Sequence, residues 1–165
     1  MSEVYLGLGS NLGDRVENIK DMLAGLEEEA KLIQLSSIYE TVPVGYLNQP
    51  TFLNAVCLIE TEMTPDELLS WIKKIETGVG PGATFRNGPR YADIDILLVD
   101  NLVLETPRLA IPHPRLVERA FVLVPLVEIA PNLLHPVLNL KMSEVLGRIE
   151  RPWGVKKLPA QVSSD

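Results

Sequence analysis

Asp93 and Asp95 stand two residues apart at the mouth of an apolar run, in Asn87-Gly88-Pro89-Arg90-Tyr91-Ala92-Asp93-Ile94-Asp95-Ile96-Leu97-Leu98. In an extended strand, residues i and i+2 point to the same face, roughly 6.5–7 Å apart. The two carboxylates therefore converge while Ile94 and Ile96 turn the other way. Like charges that close repel, and each loses solvation beside a hydrophobic strand. A chain tolerates such a pair where a hard cation or a cationic side chain neutralises it. A small set of oxygen donors suits Mg²⁺, which completes its shell with water and substrate phosphates. A polar strand end solvated by water is the alternative for a bare Asp-x-Asp. Arg90, delivered three residues earlier by a Gly-Pro turn, favours a site.

Positive charge gathers on both sides of this strand: Arg86 and Arg90 precede it, and Arg108, His113 and Arg119 follow. Planar guanidinium forks beside a metal-binding carboxylate suit a polyphosphate. Phosphoryl transfer asks for that equipment, because its catalysis is mostly positioning and charge stabilisation. His113 lies between Pro112 and Pro114 in a rigid extended segment with little local structure to satisfy its ring. Asn54 interrupts the apolar Phe52-Leu53-Asn54-Ala55-Val56, where a buried amide must be paired or must read a ligand. Phe52 and Phe121 are two of only three phenylalanines, suited to the core or to flanking a flat heteroaromatic ring. Gly9-Ser10-Asn11-Leu12-Gly13-Asp14 joins a strand to a helix but lacks the Lys-Ser/Thr of a phosphate loop and the GxGxxG spacing. It reads as a strand-to-helix turn with Asp14 as the cap.

The elements that must position these groups follow from periodicity. Val4–Leu8 reads as a buried strand, followed by a helix whose face is Val16, Ile19, Leu23 and Leu26, with Asp14 at its N-cap and Glu17 three residues on. Lys31–Tyr39 and Phe52–Glu62 are β-rich, and the connection between them is too long for a tight turn. Thr64, Pro65 and Glu67 spell a capped helix start, with Leu68, Trp71, Ile72 and Ile75 as its stripe. The loose Gly78–Gly82 segment ends that helix and leads toward the aspartates. Ile94–Val99 is the strongest strand, and Asp100-Asn101 turns into Leu102–Glu105. Pro125 argues against one continuous helix from Arg119 to Ile129 and for a short one beginning at the proline. Met142–Ile149 completes the set. The β-α-β-β-α-β order from Val4 to Val99 predicts an α+β, ferredoxin-like, mainly antiparallel sheet with helices packed on it in α-β-α layers.

A chain of 165 residues with 46% hydrophobic content makes one domain with its own core, expected over 1–150, with 151–165 a loosely held tail. The net charge of −7 argues against nonspecific nucleic-acid binding. Cys57, the sole cysteine, rules out an intrachain disulfide. The N-terminus lacks the basic and apolar regions of a signal peptide and no run approaches a membrane span, so a cytoplasmic protein is expected.

Taken together, Gly9-Ser10-Asn11-Leu12-Gly13, Phe52-Leu53-Asn54-Ala55, Asn87-Gly88-Pro89-Arg90-x-x-Asp93-x-Asp95-Ile96-Leu97, Ile111-Pro112-His113-Pro114 and Glu128-Ile129-Ala130-Pro131 resemble the 6-hydroxymethyl-7,8-dihydropterin pyrophosphokinase family. The match runs in order from Tyr5 to Pro131. The resemblance implies transfer of pyrophosphate from ATP to the pterin hydroxymethyl oxygen with release of AMP, in folate biosynthesis. It implies Asp93 and Asp95 as ligands of two Mg²⁺ ions. It places Arg90, Arg108, His113 and Arg119, with Glu76, Arg86 and Ile96, at the nucleotide. It makes Phe52 and Phe121 the faces of a pterin sandwich, with Asn54, Asp93 and the Thr41-Val42-Pro43-Val44 segment at its edge. Arg90, Asp93, Asp95, His113 and Arg119 are the implied catalytic set. The chain departs from the family in having no basic residue in Gly80–Phe85 and in Pro114, where some relatives carry a ring. Two other readings compete: a nucleotide-sugar transferase, which 165 residues scarcely accommodate, and a non-catalytic ferredoxin-like small-molecule-binding module, which leaves the aspartates and arginines without a purpose.

Overall fold

In the computed structural model, which describes residues 1–149 and 154–159, the apolar alternation of Val4, Leu6 and Leu8 sets β1 (Ser2–Ser10) inside a six-stranded sheet. It pairs antiparallel with β4 (Phe52–Thr61) on one side and β5 (Asp93–Val99) on the other. β2 (Lys31–Leu35) and β3 (Tyr39–Thr41) run one after the other along the far edge of β4, also antiparallel. Counting β2 and β3 as one interrupted strand, the order from β1 to β5 is the ferredoxin-like β-α-β-β-α-β.

Two helices cover one face. α1 (Arg15–Glu27) starts where Asp14 accepts a hydrogen bond from the Glu17 N–H, and α2 (Pro65–Val79) starts in a complete Thr64/Glu67 capping box. Ile19, Met22, Leu23 and Leu26 meet Leu68, Ile72 and Ile75 over Val4, Leu6, Leu8, Ile94 and Ile96. Trp71, expected in the stripe of α2, packs at its margin. On the opposite face α3 (Ala120–Ile129) and α4 (Met142–Gly147) bury Val122, Leu123, Leu126, Met142 and Val145 against Val56 and Leu97. The layers are α-β-α. Among the described residues no helix is long and apolar enough to cross a membrane.

Four expectations change. The β-rich Lys31–Tyr39 breaks at Ser36 and Ser37: the Ser36 N–H donates to the Val56 carbonyl, its hydroxyl accepts the Val56 N–H and donates to the Ser37 carbonyl, and Glu128 accepts from Ser37. α3 runs unbroken from Ala120 through Pro125. The proline removes the bond to the Phe121 carbonyl and costs about 3 kcal/mol. Val122, Leu123 and Leu126, each at most 5% exposed, contribute about 1.5–3 kcal/mol apiece and offset it. The segment beyond 150 is not wholly loose: β8 (Val155–Lys157) pairs with β3 and adds an edge strand. The remaining tail positions, 150–153 and 160–165, lie outside the described residues. The turn after β5 gives only a two-residue strand, β6 (Leu104–Glu105), which pairs with β7 (Ala110–Ile111).

Glu128 ties α3 to the sheet. The Ser37 N–H donates to it at 3.1 Å, the Ser37 hydroxyl at 2.8 Å and the Tyr39 hydroxyl at 2.6 Å. Burial alone would raise the Glu128 carboxyl, but the bonds from Tyr39 and Ser37 outweigh it and hold the group below its usual range. Stability from a depressed acid is complete above the ordinary glutamate range and is lost as pH falls through the lowered value. Glu128→Ala is expected to cost about 1–2 kcal/mol at pH 7 by urea unfolding. The gap to the parent should close as the pH falls below 4; a gap independent of pH would show that packing, not the carboxylate, is what was lost.

Candidate functional site

The aspartates owe their placement to β1. Asp93 lies opposite Gly9 and Asp95 opposite Gly7, with Ile94 and Ile96 buried on the other face. Leu97 is an extra, unpaired residue in the register between Leu6/Ile96 and Tyr5/Leu98. Its carbonyl accepts the His113 N–H at 2.9 Å, which draws the Pro112-His113-Pro114 segment alongside the strand. Asp93 and Asp95 remain partly open, and each leans on an arginine: Arg90 Nη1 is 3.4 Å from Asp93 Oδ1, and Arg119 Nη1 is 4.0 Å from Asp95 Oδ2. Burial first, and the Asp93 charge second, push the Asp95 carboxyl up to about 7.

The Arg90 turn is anchored by an asparagine. The Asn11 N–H donates to the Arg90 carbonyl at 3.1 Å, and Asn11 Oδ1 accepts the Arg90 N–H at 2.9 Å. The same buried side chain donates to Gln49 Oε1 and to the Pro50 carbonyl. Gln49 in turn donates to the Asn87 carbonyl, and Asn87 holds a left-handed φ of 61°. The loop entering β4 and the loop entering β5 are thus joined through the end of β1.

Thr41, Val42, Val44, Phe52, Asn54 and Phe121 face Arg90, Asp93, Asp95, His113 and Arg119 across one cleft of about 170 Å³, also lined by Asn87 and Arg115. Asn54 Oδ1 accepts the Thr41 hydroxyl at 2.5 Å and its amide reaches the Leu8 carbonyl at 3.3 Å. That approach requires Gly9, since a Cβ there would sit 2.8 Å from Asn54 Nδ2. The Arg119 guanidinium lies 5.4 Å from the Phe121 ring centroid, and its buried Nε has no hydrogen-bond partner among the described residues. Burial, then the Arg119 charge, lower the His113 pKa, so the ring is neutral at pH 7. His113 Nδ1 accepts the Arg115 N–H at 3.1 Å, which puts the ring proton on Nε2.

A second cavity, about 300 Å³, opens on the other side of Asp93 and is lined by Lys73, Glu76, Thr77 and the Gly80–Ala83 loop. Arg90 and Asp93 line both cavities. Glu76 accepts the Ile94 N–H at 2.8 Å, and burial raises its carboxyl against that bond. Pro43 belongs to a third cavity adjoining the first behind Phe121.

Three of the expected residues lie elsewhere. The Ile96 side chain is 4% exposed and faces the core under α1 and α2, leaving only its backbone to a ligand. Arg86 is exposed in the loop before β5 and lines none of these cavities. Arg108 is bound to Asp66 at 3.6 Å and Ser70 at 3.2 Å, and Asp66 lies roughly 15 Å along α2 from Glu76 at 1.5 Å per residue. Asn11, Gln49, Asn87 and Arg115 were not foreseen as site residues. Asn11 sits in the Gly-Ser-Asn-Leu-Gly turn, whose glycines gave no hint of a partner 79 positions away.

A family model described as 7,8-dihydro-6-hydroxymethylpterin-pyrophosphokinase (HPPK) matches residues 5–131, spanning both aspartates and all the cleft-lining segments named above. The chain belongs to this family. Its members are ATP-dependent pyrophosphokinases of folate biosynthesis, and this chain is one of them. It is 45% identical over 144 residues to the 2-amino-4-hydroxy-6-hydroxymethyldihydropteridine pyrophosphokinase of Aquifex aeolicus, covering 87% of this chain and 90% of that protein. The protein of the same name from Bacillus subtilis is 47% identical over 131 residues, covering 78% of each. The chain is 41% identical over 156 residues to the Folic acid synthesis protein FOL1 of Dictyostelium discoideum, of which it spans 24%. A Plasmodium falciparum HPPK-DHPS crystal structure shares the fold of this family member with a TM-score of 0.71 at 18% identity, over 95% of this chain and 47% of that one.

The residues present suit the divalent cation this family implies. Two oxygen-donor side chains share a face at the cleft, and each meets its arginine through a single guanidinium nitrogen, at 3.4 Å and 4.0 Å. Among the described residues no group of three or more His, Cys, Asp or Glu side chains could hold a metal ion. The pair would therefore rely on phosphate oxygens and water to complete the shell, as Mg²⁺ sites commonly do.

Proposed function

We propose that this chain moves the terminal pyrophosphoryl group of ATP onto 6-hydroxymethyl-7,8-dihydropterin at the junction where Arg90 and Asp93 line both cavities. That shared wall carries the reading, because a phosphate chain must pass between a nucleotide and an acceptor held side by side. The hydroxymethyl oxygen bonds the β-phosphorus, the bond from that phosphorus to the α,β-bridging oxygen breaks, AMP leaves with that oxygen, and the hydroxyl proton goes to solvent.

Phe52 and Phe121 would stack the pterin, with Asn54, Thr41 and the Val42–Val44 backbone at its polar edge. Glu76 and the α2 end of the second cavity would take the nucleotide. Arg90 and Arg119 offer guanidinium groups to the phosphates, and His113 offers its Nε2 proton. The unpaired Arg119 Nε is the kind of buried donor that a phosphate oxygen satisfies. Asp93 and Asp95 would hold two Mg²⁺ ions, which neutralise phosphate charge and lower the pKa of the attacking hydroxyl when bound. Arg86 and Arg108 reach the nucleotide only if their segments move, Arg108 leaving Asp66. The cytoplasm, where ATP and Mg²⁺ are abundant, is the compartment proposed for this reaction.

The test is an assay of nucleotide products with Mg²⁺, with and without the hydroxymethyl pterin. AMP should form only when the pterin is present. ADP as product, or AMP formation independent of pterin, would overturn the reading, and a non-catalytic binding module would then account for the fold.

A further inference from the structure

Arg115 entered neither the spacing argument nor the set implied by the resemblance, yet it lines the cleft with His113, Arg119 and Asp95. It also lines the third cavity, behind Phe121, together with Val42 and Val44. It does not line the Glu76 cavity, whereas Arg90 does. The arginines are thus sorted along the cleft: Arg90 stands where the nucleotide and acceptor sides meet, and Arg115 and Arg119 stand wholly on the acceptor side.

The local structure holds Arg115 ready for a ligand. Its N–H is fixed by His113 Nδ1, and its Nε donates to Glu118 Oε1 at 2.8 Å. Glu118 thereby orients the guanidinium while its terminal nitrogens carry no protein hydrogen bond among the described residues. The side chain remains 49% exposed, so it costs little to present. Charge accounting favours an anion. Arg86 and Arg108 are away from the cleft, Arg90 leans on Asp93, and Arg119 leans on Asp95 at 4.0 Å. Arg115 is the cleft arginine whose carboxylate partner engages only Nε, leaving the fork that binds phosphate oxygens in pairs unoccupied.

We propose that Arg115 binds the pyrophosphoryl group once it has crossed to the acceptor, gripping the diphosphate of the product rather than the bound ATP. This rests on the pyrophosphokinase reading above. Arg115 is then a charge donor that acts late in the transfer, and its loss falls on the forward rate and on product retention. ATP affinity and affinity for the unphosphorylated pterin are untouched by it.

Arg115→Ala tests this in the full chain. Binding of a non-hydrolysable ATP analogue and of 6-hydroxymethyl-7,8-dihydropterin should stay within twofold of the parent. Affinity for 6-hydroxymethyl-7,8-dihydropterin diphosphate should fall about tenfold or more, kcat should fall by a similar factor, and Arg115→Lys should recover part of both. The loss should shrink as salt is raised, since a half-exposed cation is screened. Equal diphosphate affinity in parent and variant would overturn the assignment, and so would a parallel loss of ATP-analogue and pterin binding. If the parent itself makes no AMP from ATP and pterin, the underlying reading fails; a fully active parent with an unaltered variant sinks only Arg115.

Discussion

Asp95→Asn should abolish pterin-dependent AMP formation, with a loss of at least about 10³-fold, while making the metal-free protein more stable. The activity loss follows from removing one of the two carboxylates proposed to hold the divalent cation, with a residual amide that is a much poorer ligand. The stability gain follows from the charge itself. An acid whose pKa rises on folding stabilises the fold only while it is protonated. Asp95 moves from an ordinary value of 3.8 up to about 7, so its contribution is present below pH 4 and is lost as pH climbs through 7. About a third of the side chain remains exposed, so screening limits the deficit to about 1–2 kcal/mol at pH 8. Unfolding curves without metal at pH 5 and pH 8 should show Asp95→Asn gaining on the parent as pH rises. Millimolar Mg²⁺ with nucleotide should then stabilise the parent and leave the variant unmoved. An active variant, or one that responds to Mg²⁺ like the parent, removes Asp95 from the metal site.

Arg90→Ala should lower kcat by about 10²–10³, the usual cost of losing a donor aimed at charge that develops in the transition state. The structure makes this substitution a clean one. The bonds that hold the turn, Asn11 N–H to the Arg90 carbonyl and Arg90 N–H to Asn11 Oδ1, belong to the Arg90 backbone and survive truncation. Among the described residues, only the 3.3 Å contact from Arg90 Nε to the Gly88 carbonyl and the pairing with Asp93 are lost from the side chain. The unfolding free energy from urea titration should therefore change by no more than about 1 kcal/mol, within the range of a partly exposed ion pair. A large drop in stability with normal turnover would make Arg90 a packing residue of the turn.

The sequence was a good guide where the determinant is local. The apolar runs Val4–Leu8 and Ile94–Val99, the Thr64-Pro65-x-Glu67 start and the Asp14 cap each depend on near neighbours, and the elements formed there. The convergence of Asp93 and Asp95 is equally local, because the period of a strand is two residues. Local rules misled at Pro125, where the intrinsic cost is real but burial of three large apolar side chains on the sheet decides the outcome. They misled at Ser36-Ser37 as well, where the strand breaks for bonds to Val56 and Glu128 that no window of sequence contains.

The amino-acid order by itself determined the central strands, the helix starts, the paired carboxylates and the family signature, since each is written in residues a few positions apart. Only the tertiary structure decided which arginines stand at the cleft, leaving Arg108 on α2 and bringing in Arg115, and which asparagine couples the two loops. A long cationic side chain takes whichever carboxylate the packing of distant elements brings within its reach, and that distance is a property of the assembled layers rather than of spacing along the chain.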